Sequence, residues 1–333
     1  MSTPHGALAR RHPSGDPRVA AFVAGPLILT VLAVGLASAE PPSGVTRMSA
    51  ADAERAGSAI HLLKRAVGGS TFVQVDAQAK GLRLLAISAD GADVALADQI
   101  GEVSGSLTLA DSDGAQLGIP MPGLLAASFA ADGAWLAVVD GRGALWRVDA
   151  ASGRTVPLAD GPFIGSPIIE SDGSLLMLAV PSVEAPYESH LVRFVAATGL
   201  LTPLSDRELV YAAFPLDNGD LAIVAHEPDG TAAYRLAKTG EQLLVGLGLD
   251  AVNVTLAGNG RIAFERSGEI LVIDAPGSAP RSIGAGSRPC FAPDGSSLLI
   301  RRGNRTLALD VAGSVLAASD EPAGFAASAG CLP

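Results

Sequence analysis

Six times in this chain a short apolar strand enters an Asp-Gly or Asn-Gly turn and leaves as a second apolar strand. The copies are LLAISADGADVALAD (84–98), SFAADGAWLAVVD (128–140), PIIESDGSLLMLAV (167–180), AAFPLDNGDLAIVAH (212–226), NVTLAGNGRIAFE (253–265) and CFAPDGSSLLIRR (290–302). Their turn glycines, Gly91, Gly133, Gly173, Gly219, Gly260 and Gly295, lie 42, 40, 46, 41 and 35 residues apart. A period near 40 marks a repeat array in which each copy is one supersecondary unit. Asp or Asn before Gly tolerates positive φ and predicts a two-residue hairpin. The strands after the turn, such as Trp135–Val139 and Leu175–Leu178, are apolar throughout rather than alternating, so both of their faces are expected to be covered by neighbouring sheets.

The second half of each unit repeats too: ALWRVDAASGRTVPL (144–158), HLVRFVAATGLLTPL (190–204), AAYRLAKTGEQLLV (232–245), EILVIDAPGSAPRSI (269–283) and TLALDVAGSVLA (306–317), with SLTLADSDGAQLG (106–118) in the first unit. Each is a strand, a Gly-containing turn and an edge strand, giving four strands per unit. A lone twisted sheet cannot bury both faces until copies flank it, so the fold class is all-β, a β-propeller of four-stranded blades. Six units predict six blades. Seven is the alternative, reached if Ala59–Arg65, Phe72–Val75 and a tail strand near Phe325 make a sheet of their own. Between Glu40 and Ser70 the sequence reads as linker and a short segment, either a helix capped by Ser49 and ended by Gly68-Gly69 or a strand over Ala59–Arg65. The predicted organisation is thus 1–39, 40–70 and a propeller over 71–333.

The pattern of apolar strand, Ser/Ala-Pro/Ala-Asp-Gly, apolar strand, Leu/Ile-x-x-Val/Leu-Asp and Gly, clearest at 290–310 and 128–153, resembles the WD40-like repeat of TolB-type propellers over about 86–319. The resemblance implies the propeller fold and carries over no catalytic residue.

The first 39 residues read as an export signal. Arg10, Arg11 and Arg18 precede an uncharged apolar run from Val19 to Leu36, followed by Ala37-Ser38-Ala39, which suits a signal-peptidase site. An uncleaved anchor is the alternative, and it is the one route by which the chain would meet a membrane. The chain is therefore expected in the periplasm or outside the cell. Net charge is −11; without the three Arg and the one Asp of the leader it is −13, from 20 basic and 33 acidic side chains, which argues against nucleic acid. Cys290 and Cys331 are the two cysteines of the chain and, in an oxidising compartment, are expected to pair.

Reactive chemistry is sparse. His61, His190 and His226 fall in different units without a spaced partner, and His190 and His226 read as solvent-facing strand ends. Asp111-Ser112-Asp113-Gly114 lacks the third acid and terminal Glu of a calcium loop and reads as a turn. No nucleophile elbow, phosphate loop or dinucleotide fingerprint is present, so no catalytic residue, cofactor or metal ligand is assigned. The main expectation is a non-catalytic scaffold for a protein or cell-envelope partner. The insertion at 181–189, with Glu184, Tyr187 and Glu188, would offer one binding loop. Phe163, Arg207, Tyr211 and Arg288, in the connections between units, would line the opposite rim around the channel mouth. The alternative is a metal-dependent hydrolase similar to lactonase-type propellers, drawing on Ser88, Glu170, Asn253 and Thr255 of the inner strands.

Overall fold

The computed structural model describes residues 44–67, 70–78, 81–98, 105–182, 188–292, 294–319 and 325–327. They form six four-stranded blades in a β-propeller. Within each, successive strands pair antiparallel, as in the fourth blade, Val210–Pro215, Leu221–Glu227, Gly230–Ala237 and Gly240–Gly248.

The repeated turn owes its residues to a shared geometry. In all six copies the glycine N–H donates to the carbonyl three residues back, as Gly133 does to Ala130, and the glycine itself is left-handed, with φ between 64° and 85°. The Asp or Asn before it accepts from the N–H two residues on: Asp90 from Ala92, Asp132 from Ala134, Asp172 from Ser174, Asn218 from Asp220, Asn259 from Arg261 and Asp294 from Ser296, at 2.9–3.1 Å. The loop is four residues long rather than two, because only the glycine is left-handed, whereas a two-residue Asp-Gly or Asn-Gly turn needs positive φ at both central residues. The bond from Ala92 N–H, followed by that from the Ser88 hydroxyl, holds the Asp90 carboxyl below its usual range.

Burial follows the apolar runs. Leu136, Ala137, Val138 and Val139 are fully buried, as are Leu175, Leu176 and Met177. Seven hydrophobic clusters among the described residues fill seven interfaces. Leu107 and Leu136 meet between the first and second blades, Val139 and Phe194 between the second and third, and Leu176 and Ile223 between the third and fourth. Val224 with Phe264, then Ile270 with Leu298, join the fourth to fifth and fifth to sixth.

The remaining two clusters belong to a three-stranded sheet, Ile60–Val67, Ser70–Ala77 and Phe325–Ala327. Phe72 packs on Ala292, Leu299 and Ala308 of the last blade, while Val73 and Val75 pack on Ile87, Val94 and Leu96 of the first. The six full blades are those predicted from the six units, and the three-stranded sheet, made from both ends of the described chain, is the separate sheet that the alternative anticipated.

Segment 44–67 is built into the ring. Thr46–Met48 adds a fifth strand to the edge of the first blade. Ser49 caps the helix Ala50–Ala56, accepting from Asp52 N–H, but the helix ends at Gly57, left-handed at φ 67°, and not at Gly68-Gly69. Ile60–Val67 is a strand because its partner Ser70–Ala77 lies in register beside it. Residues 1–43, including the apolar run at 19–36, lie outside the described residues. Among the described residues no helix is long and apolar enough to cross a membrane.

Candidate functional site

The first strand of every blade faces the axis, and together they enclose a channel of about 620 Å³. Its wall is apolar, with Ser128, Ser166, Thr255 and Tyr211 among its few polar groups; among the described residues Asp217 is its one charged side chain. The inner-strand donors expected for a metal are committed elsewhere. Ser88 donates to Asp90 and accepts from Asp93 N–H. Glu170 takes a two-pronged hydrogen bond from Arg193, at 2.6 and 2.7 Å, and a third from Ser174. The Asn253 amide donates to Glu265. Thr255 alone of the four lines the channel. Among the described residues no three His, Cys, Asp or Glu side chains are grouped to hold a metal ion.

Because strands alternate in direction, the connection between second and third strands and the connection between blades emerge on the same rim. Hydrogen bonds tie the two sets together: Phe163 N–H to Gly143, Val180 to Pro162, Val210 to Ser189 and His226 to Leu209. The expectation that the 181–189 insertion and the inter-blade residues occupy opposite rims is therefore corrected. Glu188 is exposed on this rim, while Glu184 and Tyr187 lie outside the described residues.

Phe163, expected at the mouth, is 1% exposed and packs between the second and third blades, since the first residue of that strand points between sheets. Arg207 lies 3.4 Å over the Tyr234 ring and pairs with Glu227 and Glu241, so its guanidinium clamps the connection to the fourth blade. Arg288 is exposed, at φ 51°, and its N–H donates to Glu265. Cys290 lines the channel and carries no free thiol; Cys331 lies outside the described residues.

Tyr211 is the sequence-predicted residue that reaches reactive chemistry. It sits in a β-bulge, where pairing of Val210–Pro215 with Leu221–Glu227 shifts between Val210 and Ala212, and a bulge re-aims its side chain. It is among the residues that line the channel, it packs against the cluster between the fourth and fifth blades, and its ring stacks on His226, with centroids 4.7 Å apart and planes at 28°. Its hydroxyl is buried beside the Thr231 hydroxyl, with no hydrogen bond of ordinary geometry. Burial pushes the phenol well above the usual tyrosine range, outweighing the neighbouring Thr231 hydroxyl, so it stays protonated at neutral pH.

His226 is exposed at the end of Leu221–Glu227, directly across the hairpin from Thr231. Thr231, 2% exposed, has its Oγ1 3.2 Å from His226 Nδ1 and 3.0 Å from the Ala251 carbonyl oxygen. Gly230, beside Thr231, lets the edge strand approach: at φ 131°, a Cβ there would fall 2.3 Å from the Gly248 carbonyl carbon. Sequence reasoning left His226 as a solvent-facing strand end and missed Thr231. The available signal was hairpin register, which sets residues 226 and 231 opposite each other across a tight Pro228-Asp229 turn.

A second groove of about 890 Å³ lies on the opposite rim between the first two blades, with Asp90, Asp111, Asp132 and Asp149 along it. These carboxylates cap their own turns, and the site is placed at the channel.

The chain matches no protein-family model, and no curated protein matches it. Solved structures similar to it are propellers. An oligogalacturonate lyase in complex with manganese is 12% identical, with a TM-score of 0.54 over 83% of this chain and 85% of that one. The tricorn protease is 10% identical, with a TM-score of 0.56 over 87% of this chain and 36% of that one. The β-propeller domain of the Trilobed protease from Pyrococcus furiosus, described as having an open velcro topology, is 13% identical, with a TM-score of 0.54 over 79% of this chain and 100% of that one. At such identities the likeness fixes the fold. It also corrects the expectation of a non-catalytic scaffold without enzyme activity: this fold carries a lyase and occurs in proteases, so the absence of a sequence motif for catalysis was no ground for it.

Proposed function

We propose that the protein is a hydrolase that opens a small uncharged lactone or ester at the mouth of its central channel, with His226 as general base. The observation that carries this reading is the His226 imidazole, stacked on the channel-lining Tyr211 and exposed at the rim. In the reaction His226 takes a proton from water as its oxygen adds to the acyl carbon. The acyl C–O bond then breaks, and the proton passes to the departing alkoxide. The apolar wall favours a lactone or ester over an acidic sugar, because among the described residues it presents no Lys or Arg to meet a carboxylate. The manganese of the similar lyase has no counterpart in donor chemistry, since the described residues do not fit a metal site, and no step is derived through one.

The reading takes the chain as exported, on the strength of Arg10, Arg11, the apolar run to Leu36 and Ala37-Ser38-Ala39, and its repeats as of the TolB-like kind. Purified protein incubated with γ- and δ-lactones and aryl acetates is expected to hydrolyse members of that set. His226→Ala should lower kcat/KM by roughly 10²–10⁴-fold, the usual contribution of a general base. Absence of turnover across the set, or turnover indifferent to His226→Ala, would sink the proposal.

A further inference from the structure

We infer that Thr231 is a positioning residue that locks His226 in the Nδ1–H tautomer, leaving Nε2 as the bare, proton-accepting nitrogen. This deepens the hydrolase reading and rests on it for its catalytic meaning, though not for its geometry. A threonine hydroxyl has one proton and two lone pairs. The Ala251 carbonyl, 3.0 Å away, can only accept, so the Thr231 proton goes there. What faces His226 Nδ1 at 3.2 Å is then a lone pair, and Nδ1 must supply the hydrogen. The reverse arrangement, with Thr231 donating to Nδ1, would strip this buried carbonyl of that hydrogen bond; one such unmade bond favours Nδ1–H by roughly tenfold or more.

The lock is rigid because its parts belong to packed backbone. Thr231 is 2% exposed and paired in register with His226. Ala251 is fully buried in the connection to the fifth blade. The His226 N–H is held by the Leu209 carbonyl, and Tyr211 covers one face of the imidazole ring. The partner of Nδ1 sets which nitrogen can act as base, as it does in other histidine sites.

The test reads the tautomer without turnover. Nitrogen-15 spectra of histidine-labelled full chain, recorded where His226 is neutral and assigned by the signal lost in His226→Gln, are expected to show Nδ1 protonated and Nε2 not. Thr231→Val should release the ring toward the Nε2–H form that a solvent-exposed histidine side chain prefers, and Thr231→Ser should restore the lock. A wild-type signal dominated by Nε2–H overturns the inference, as does a tautomer ratio unchanged in folded Thr231→Val. On a hydrolysed lactone, Thr231→Val should lower kcat roughly ten- to a hundredfold with little change in KM, and Thr231→Ser should recover it; a change confined to KM overturns the positioning role. An Nδ1–H signal in a protein that hydrolyses none of the lactones or esters supports the lock and refutes the hydrolase reading instead.

Discussion

Replacing Asp140 tests whether the rim that presents the site is held by its turns. Asp140 is 1% exposed and stands where the second strand of the second blade turns into the third. One carboxylate oxygen accepts from the N–H groups of Arg142 and Ala144, both at 2.9 Å, and the other accepts from the indole N–H of Trp146, also at 2.9 Å. In Asp140→Ala the two turn N–H groups lie near solvent and regain water, losing about 0.5–1 kcal/mol each. The indole is 6% exposed and is left unsatisfied, at about 1–3 kcal/mol. The expected loss is about 3 kcal/mol. Asp140→Asn keeps the carbonyl oxygen over the turn and sets an amide donor against the indole donor, for a smaller loss of about 1–2 kcal/mol. Urea unfolding followed by tryptophan fluorescence is a direct assay, since Trp135 and Trp146 are the two tryptophans of the chain. A loss below about 1 kcal/mol for Asp140→Ala, with an unchanged urea slope, would refute the argument by showing that the indole finds another partner.

Tyr211 gives an alkaline signature. Its folded-state value is raised by burial, so above the unfolded tyrosine value of about 10 the unfolded chain releases a proton that the folded chain keeps, and stability falls as pH climbs toward the folded value. Tyr211→Phe should be at least as stable at neutral pH and lose less stability above about pH 10 in unfolding titrations; parallel curves would contradict this. The pairing of Cys290 with Cys331, proposed from export and cysteine count, would close a loop of about 40 residues and add about 3–4 kcal/mol in the chain-entropy account. Thiol titration of exported, denatured, non-reduced protein should find no free thiol, and two per chain would rule the bond out.

The repeat carried most of the architecture because its determinants are local. An Asp or Asn, a left-handed Gly and flanking apolar residues build each turn within a few residues, and a period near 40 copies it around the ring. Four strands per unit, their double-sided burial and the helix cap at Ser49 were legible for the same reason. Six units predicted the six full blades, whereas the added sheet of Ile60–Val67, Ser70–Ala77 and Phe325–Ala327 depends on pairing between opposite ends of the described chain, and no local residue records that partner. The candidate site escaped for a related reason. Tyr211 sits at a one-residue bulge, and its ring meets His226 on the neighbouring strand. Thr231 is oriented by a carbonyl from the next inter-blade connection. Each of these residues has an ordinary local role as a strand residue, and it is the pairing of three strands in one blade, with the connection to the next blade beside them, that brings their side chains within hydrogen-bonding and stacking distance.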